Sequence, residues 1–313
     1  MSTTKKTLVV LAGILLALLL LLAGALLFLR WQIGSKITHI PEALPEVSVA
    51  EEVEGDQVNI LVLGSDSRES GGDPNDWTYG GQRSDSMMLV QIAGNREHVN
   101  IMSLPRDSWV EVPGNGKAKI NAAFSWGGAP LTIQTVEQVT GIPVDHIAIV
   151  DFTGFEELTN QLGGVTIETK DGPVTMNGER ALEFVRERYT LPNGDFDRMR
   201  RQQAWMKAIM QRVLQRDVLT SPTQIYSLTQ TLLENSAVDE GMTVEYLTGL
   251  AFSLRDFFTA PYAGIDMTPD GQSIVLLDED GLALVTEAWR NDEVHEFLQS
   301  GVEVETLGSR PIE

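Results

Sequence analysis

The segment Arg180–Gln203, RALEFVRERYTLPNGDFDRMRRQQ, gathers Arg180, Arg186, Arg188, Arg198, Arg200 and Arg201 in a chain with 44 Asp and Glu against 23 Lys and Arg. Arginine concentrated against an acidic background points to an anion held there. A guanidinium stays charged and presents parallel N–H donors to a phosphate or carboxylate. Asn193-Gly194 reads as a turn and Asp195 as a helix start, with a short acidic side chain able to cap it. A helix from that point sets Asp195, Arg198 and Gln202 at i, i+3 and i+7, along one face. Met199, Met206, Met210 and Val213 fall on a neighbouring apolar face suited to packing. Arg186 and Arg188 are two apart and project the same way if their segment is extended. The same charges also fit a solvated basic helix paired with Glu183, Glu187 and Asp197, and spacing alone leaves both readings open.

Charges also sit at the ends of apolar runs: Asp66 with Arg68, Arg83 with Asp85, and Arg106 with Asp107. In open α/β sheets, ligands bind in the crevice beyond the carboxyl ends of the strands. Asp107 directly follows Arg106, so in an extended chain the two point apart. Asp66 and Asp85 are therefore the better carboxylates to share a site with arginine. Two carboxylates, ligand phosphate oxygens and water suit Mg²⁺. Loop caps, or partners for the adjacent arginines, are the other reading of each aspartate. Other chemistries lack their residues. Gly114-Asn115-Gly116-Lys117 misses the upstream glycine and following Ser/Thr of a phosphate-binding loop. Ser65 in LGSDS does not form a G-x-S-x-G elbow. His39, His98, His146 and His295 are scattered, with no H-E-x-x-H pair, and His146 beside an apolar strand reads as structural.

These residues need a scaffold. Leu8–Leu29 carries no charge and as a helix spans about 33 Å, close to a bilayer's hydrocarbon thickness. Lys5 and Lys6 before it bias the N-terminus toward the cytoplasm. A cleaved signal peptide has a shorter apolar region, so this stretch reads as an uncleaved signal-anchor. The expected organisation is a cytoplasmic end at 1–7, the membrane helix at 8–29, an extracytoplasmic spacer at 30–56 with Pro41 and Pro45, a folded domain at 57–298, and a loose tail at 299–313. Within the domain, 58–63, 86–92, 99–104, 146–152, 165–168 and 273–277 read as strands. Helices are expected at 130–140, after a Thr153–Glu156 capping box, at 179–185 and from Asp195 to about Gln215. Such alternation indicates an α/β sheet covered on both faces.

Composition narrows the partners. Over 313 residues, 42% hydrophobic content supports a sizeable core. A formal charge of −21 argues against nucleic acid, whose binding rests on cationic contacts to phosphate. With no cysteine there is neither a disulfide framework nor a thiolate metal site.

Taken in order from about Asn59 to Val213, the motifs NILVLGSDSR, RSDSMMLV, SLPRDSWV, KINAAFSWGG, TIQTVEQVTGIPVDHIAIVDFTGF, LGGV, NGERALEFVRERY and GDFDRMRRQQ closely resemble the LytR-CpsA-Psr family of cell-wall glycopolymer ligases. The region to about Val294 resembles the rest of the same domain more weakly. The resemblance implies a three-layer α/β/α sandwich with a central mixed sheet, preceded by one transmembrane helix. It implies a membrane-anchored phosphotransferase that moves a glycopolymer from a polyprenyl-pyrophosphate carrier to a peptidoglycan hydroxyl. Carried onto this chain, Asp66 and Asp85 would hold Mg²⁺, with Mn²⁺ as the alternative ion. Arg83, Arg106, Arg186, Arg188 and Arg198 would grip the pyrophosphate, Asp195 and Gln202 would complete the pocket, and Lys119 matches the family's KIN motif. Asp66, Asp85, Arg83, Arg106 and Arg198 form the implied catalytic set. The implied partners are the lipid-linked glycopolymer, peptidoglycan and the membrane, with no nucleic acid. A polyprenyl-(pyro)phosphate hydrolase and a non-catalytic, lipid-binding or attenuator protein are the competing functions. A passive binder would need the arginines but not the two aspartates.

The topology is testable at once. A reporter fused at Glu313 should be active only in a version that works outside the cytoplasmic membrane. Activity from a cytoplasm-only reporter would reverse the assignment.

Overall fold

The computed structural model describes residues 38–53, 55–65, 86–187, 190–242, 254–301, 304–306 and 312–313. A short strand, β1 (Thr38–Ile40), precedes the apolar runs β2 (Val58–Ser65), β3 (Ser86–Ile92) and β4 (His98–Leu104). A small hairpin follows, β5 (Trp109–Val112) and β6 (Gly116–Lys119), then helix α1 (Ala122–Thr140). Helix α1 bends at Gly127 and Gly128, so the helix expected at 130–140 is its second limb. Next come β7 (His146–Asp151), α2 (Phe152–Gln161) and a second hairpin, β8 (Val165–Thr169) with β9 (Gly172–Met176). Four helices follow: α3 (Gly178–Arg186), α4 (Asp195–Val213), α5 (Arg216–Leu219) and α6 (Pro222–Glu234). Strands β10 (Ser236–Asp239), β11 (Leu254–Thr259), β12 (Tyr262–Met267) and β13 (Ser273–Leu277) lead to helices α7 (Glu279–Arg290) and α8 (Val294–Gln299).

The central sheet runs in the order β1-β10-β7-β2-β3-β4-β11. It is mixed: β1 with β10, β2 with β7 and β4 with β11 pair in parallel, while the other neighbours are antiparallel. Every residue of β3 is buried, as expected for a central strand covered on both faces. Side chains alternate across the sheet. Leu61, Leu63, Met87, Leu89, Met102 and Leu104 lie on one face, with Ile133 and Val136 of α1 and Leu282, Val285 and Trp289 of α7. Trp289 also donates to Asn59 Oδ1 at 2.8 Å. On the opposite face Val62, Met88 and Val150 meet Trp205 and Met206 of α4. The expected layering, helices on both sides of a mixed sheet, is thus present.

Several local expectations need correction. The stretch 30–56 is not spacer throughout, because β1 extends the sheet beside β10 and Ser48 and Val49 hydrogen-bond the buried Glu137 carboxylate at 2.8 and 2.9 Å. A strand this short has no periodicity to read. Nor is 299–313 simply loose: Glu305 accepts from Thr259 N at 2.9 Å, and Ile312 bridges to Thr169. Helix α2 is capped by Asp151, whose carboxylate accepts from Thr153 N at 2.8 Å. The membrane helix expected at 8–29 lies outside the described residues, and among those described no helix is long and apolar enough to cross a membrane.

Gly178 opens α3 where that helix meets α2. A Cβ there would stand 2.2 Å from the Glu156 carbonyl oxygen, a backbone atom that cannot rotate away. Gly178→Ala is expected to lower the melting temperature by several degrees, a cost of about 1–3 kcal/mol from overpacking. An unchanged melting curve would mean that α2 and α3 have slack at this contact.

Candidate functional site

The site is built from the start of α4 and the turn after β4. Gly194, at φ 54°, is the residue before α4, and a left-handed turn there costs glycine little. Asp197, not Asp195, satisfies the helix entrance: its carboxylate accepts from Asn193 N at 2.9 Å and from the Asn193 amide at 3.1 Å. Asp195 instead stands 2.7 Å from Arg198 and 3.7 Å from Arg106 Nε. Arg106 reaches this carboxylate from a turn fixed by its own backbone. Ser108 donates to the Pro105 carbonyl through both N and Oγ, at 3.0 and 2.7 Å, and Asn121 N donates to the Arg106 carbonyl at 3.3 Å. The Arg106, Arg198 and Asp195 side chains are 13%, 8% and 23% exposed, so the cluster is substantially desolvated.

Helix α4 is pinned over the end of β4 by Gln203. Its amide donates to Ser103 Oγ at 2.7 Å and to the Phe258 carbonyl at 3.2 Å. The preceding residue, Gln202, lines a nearly apolar cleft between α4 and the sheet, together with Val62, Met88, Phe152, Phe155 and Trp205. Its Oε1 is buried with no hydrogen-bond partner among the described residues. Gly64 and Ser86 line the same cleft and face each other in the β2–β3 register. A Cβ on Gly64 would lie 2.2 Å from Ser86 Oγ and 3.2 Å from the Phe152 ring, so glycine permits this close approach.

The site residues expected from sequence therefore divide. Arg106, Asp195 and Arg198 come together, with Gln202 one turn beyond Arg198 on the same helix. Arg186 is half-buried in the last turn of α3. Lys119 pairs with Asp107 at 3.1 Å, across the base of the β5–β6 hairpin. Asp66, Arg83, Asp85 and Arg188 lie outside the described residues. The donor set nonetheless suits a hard cation: the two aspartates adjoin Ser65 and Ser86 in sequence, at the ends of strands that pair at Gly64 and Ser86.

Other residues of the arginine stretch serve the fold. Arg200 is buried and pairs with Glu305 at 3.4 Å. Arg201 donates to the Phe184 and Glu313 carbonyls, each at 2.9 Å, and lies 3.9 Å over the Phe184 ring. Arg180 is exposed at the start of α3. The buried side of α4 is formed by Met199, Ala204, Trp205, Ala208 and Ile209, while Met206, Met210 and Val213 are half-buried. His146 is structural, 3.0 Å from Asp239. Burial opposes the Asp239 charge, but His146 and the Ile147 and Gly241 amides hold its carboxyl below the ordinary value. Sequence reasoning did not find Gln203 or the cleft aromatics, although Gln202-Gln203 beside Trp205 in an amphipathic helix is the trace they leave.

Residues 34–260 match the model of the LytR_cpsA_psr family. Similar proteins include the Enterococcus faecalis polyisoprenyl-teichoic acid–peptidoglycan teichoic acid transferase TagU, 29% identical over 93% of this chain and 98% of its own. The Bacillus subtilis transferase of the same type, TagT, is 30% identical over 92% of this chain and 95% of its own. Among solved structures, TagT bound to LI-WTA matches with a TM-score of 0.62 at 26% identity, covering 82% of this chain and 98% of that one. The protein gbs0355 of Streptococcus agalactiae shares the fold, with a TM-score of 0.64 at 23% identity over 77% of this chain and 91% of its own.

Asp195 is the carboxylate between the two guanidiniums. Asp195→Asn should lower the melting temperature at low salt, since loss of a charge-assisted contact costs roughly 1.5–3 kcal/mol. Inorganic pyrophosphate should then raise the variant's melting temperature more than the wild type's. Equal melting at low salt would show that the carboxylate does not compensate the arginines.

Proposed function

The chain belongs to the LytR-CpsA-Psr family, and from that premise we propose that it is a membrane-anchored phosphotransferase. It moves a glycopolymer from a polyprenyl-pyrophosphate carrier to a peptidoglycan hydroxyl; TagU and TagT are named as transferases of teichoic acid from a polyisoprenyl-linked form to peptidoglycan. The observation that carries this reading is the junction at Gln202. A cluster of guanidiniums lies one helical turn away on one side, and an almost wholly apolar cleft opens on the other. An amphiphile with an anionic head and a prenyl tail has that chemistry.

In this reading Arg106 and Arg198, joined by Arg83, Arg186 and Arg188, hold the pyrophosphate, and Lys119 adds charge nearby. The acceptor oxygen attacks the phosphorus that bears the glycan, the bond to the prenyl phosphate breaks, and the acceptor's proton leaves to a base. Charge grows on phosphate oxygens in that step, and donors fixed in advance stabilise it without reorganising. Asp195 keeps the guanidiniums aligned until the anion arrives. Gln202 offers an amide at the boundary between head group and tail. Asp66 and Asp85 would hold Mg²⁺, or Mn²⁺, which when bound neutralises pyrophosphate charge. Anchoring through 8–29 would confine protein and carrier to one membrane surface, raising their effective concentration outside the cytoplasm.

The test uses the full chain with lipid-linked glycan, peptidoglycan oligomers and Mg²⁺, read by mass spectrometry. Covalent glycan–peptidoglycan product supports the transferase, whereas glycan phosphate released to water alone supports the hydrolase. Asp66→Asn or Asp85→Asn should cut transfer by about a hundredfold or more while leaving melting temperature and much of the lipid binding intact. Lower stability with undiminished activity per folded molecule would return both residues to loop capping.

A further inference from the structure

A second cluster of ligating side chains lies at the other end of β4 from Arg106. His98 of β4, Asp256 of β11 and His295 of α8 each offer a donor atom within 4.8 Å of the others. His295 Nδ1 is 2.6 Å from an Asp256 oxygen. The two imidazoles stack with centroids 4.0 Å apart at an interplanar angle of 22°. The topology makes this meeting inevitable for the strand residues. Strand β11 runs parallel to β4 with Asp256 beside Asn100, two residues from His98 and on the same face. Helix α8 then brings His295 over that face.

Hydrogen bonding does not account for the whole cluster. His98 Nδ1 is buried with no hydrogen-bond partner among the described residues, and so is Asp292 Oδ1. Asp292 is close enough for the charges of His98, Glu296 and Arg96 to act on its carboxyl, while its other oxygen accepts from Gly94 N at 2.8 Å. The neighbourhood is therefore rich in acceptors, with Arg96 as its nearby cation. All three ligating residues are half-buried, which leaves an approach from solvent.

We propose that His98, Asp256 and His295 bind a divalent transition-metal ion of the Zn²⁺ type. Two imidazoles and one carboxylate suit Zn²⁺, whereas Mg²⁺ prefers oxygen ligands alone. Metal–ligand distances of about 2.0–2.2 Å require the donors to close somewhat from their present spread. Side-chain rotations that part the stacked imidazoles and give up the His295–Asp256 hydrogen bond would have to accompany binding. Three protein ligands leave a position for water. The ion would tie edge strand β11 and helix α8 to β4, roughly 20 Å from the arginines along the strand. This site does not depend on the phosphotransferase reading.

The test strips the full chain with chelator in detergent, then titrates Zn²⁺ by calorimetry and follows the melting temperature. Wild type should take up a Zn²⁺ ion that raises the melting temperature. His98→Gln and His295→Gln should each weaken that binding about tenfold or more, and Asp256→Asn should do the same. The same concentration of Mg²⁺ should give no histidine-dependent rise. Co²⁺ in wild type should show a visible spectrum that the glutamine variants lose, which reports ligation even where a variant is less stable. Equal Zn²⁺ affinity in wild type and the double glutamine variant, or a Co²⁺ spectrum unchanged by it, overturns the proposal.

Discussion

Two guanidiniums cannot share a partly desolvated site without a counter-charge, and that constraint organises the region around Asp195. Like charges about 4 Å apart repel by roughly 4 kcal/mol at the effective dielectric of a protein surface. One carboxylate within ion-pair reach of both Arg106 and Arg198 reverses the sign of the interaction. It must come from the right place. The turn at Gly194 and the Asp197 cap together start α4 so that Asp195 faces Arg106 rather than closing its own helix. The Ser108 and Asn121 hydrogen bonds hold the Arg106 backbone from the other side.

The sheet converts this local geometry into a site with two characters. Gln202 and Gln203 are adjacent but do different work because α4 lies across the strands. Gln203 spends its amide on Ser103 and Phe258, which sets the height of the helix over β4 and β11. Gln202 meets the cleft, where the alternation of β2 and β3 presents Val62 and Met88. Gly64 lets β2 and β3 come together at Ser86. Neighbouring glutamines of one helix thus divide between fixing the helix on the sheet and lining the cleft.

What could be read in advance follows the range of the interactions. Strand β3 and strand β13 have the bounds that hydrophobic runs predict, and α3 and α4 lie where turn residues announce them. Pairings between distant segments were not legible. Strand β1 is recognisable only through β10, and β11 only through β4. The arginine stretch shows the same limit. Arg198 and Arg201 look alike in sequence, yet one joins Asp195 and the other packs on Phe184. The histidines at 98 and 295 carry no local motif, because their proximity is created by the sheet and by the return of α8. Asp195 shows the converse error: its position beside a turn fits a cap, but a long-range ion pair claims the carboxylate.

The acidity of the chain gives the local arginines their importance. A formal charge of −21 opposes an anionic head group at long range. That opposition fades beyond the Debye length, about 8 Å at physiological ionic strength. Inside that distance the partly buried guanidiniums are screened much less, and they set the local field that an anion would meet there. The same acidic field favours cations everywhere on the surface, so selectivity among them must come from ligand chemistry rather than charge. Oxygen ligands select hard ions, and imidazoles select borderline ones. Opposite ends of β4 therefore present different chemistry without any change of fold: Arg106 follows one end, and His98 stands at the other.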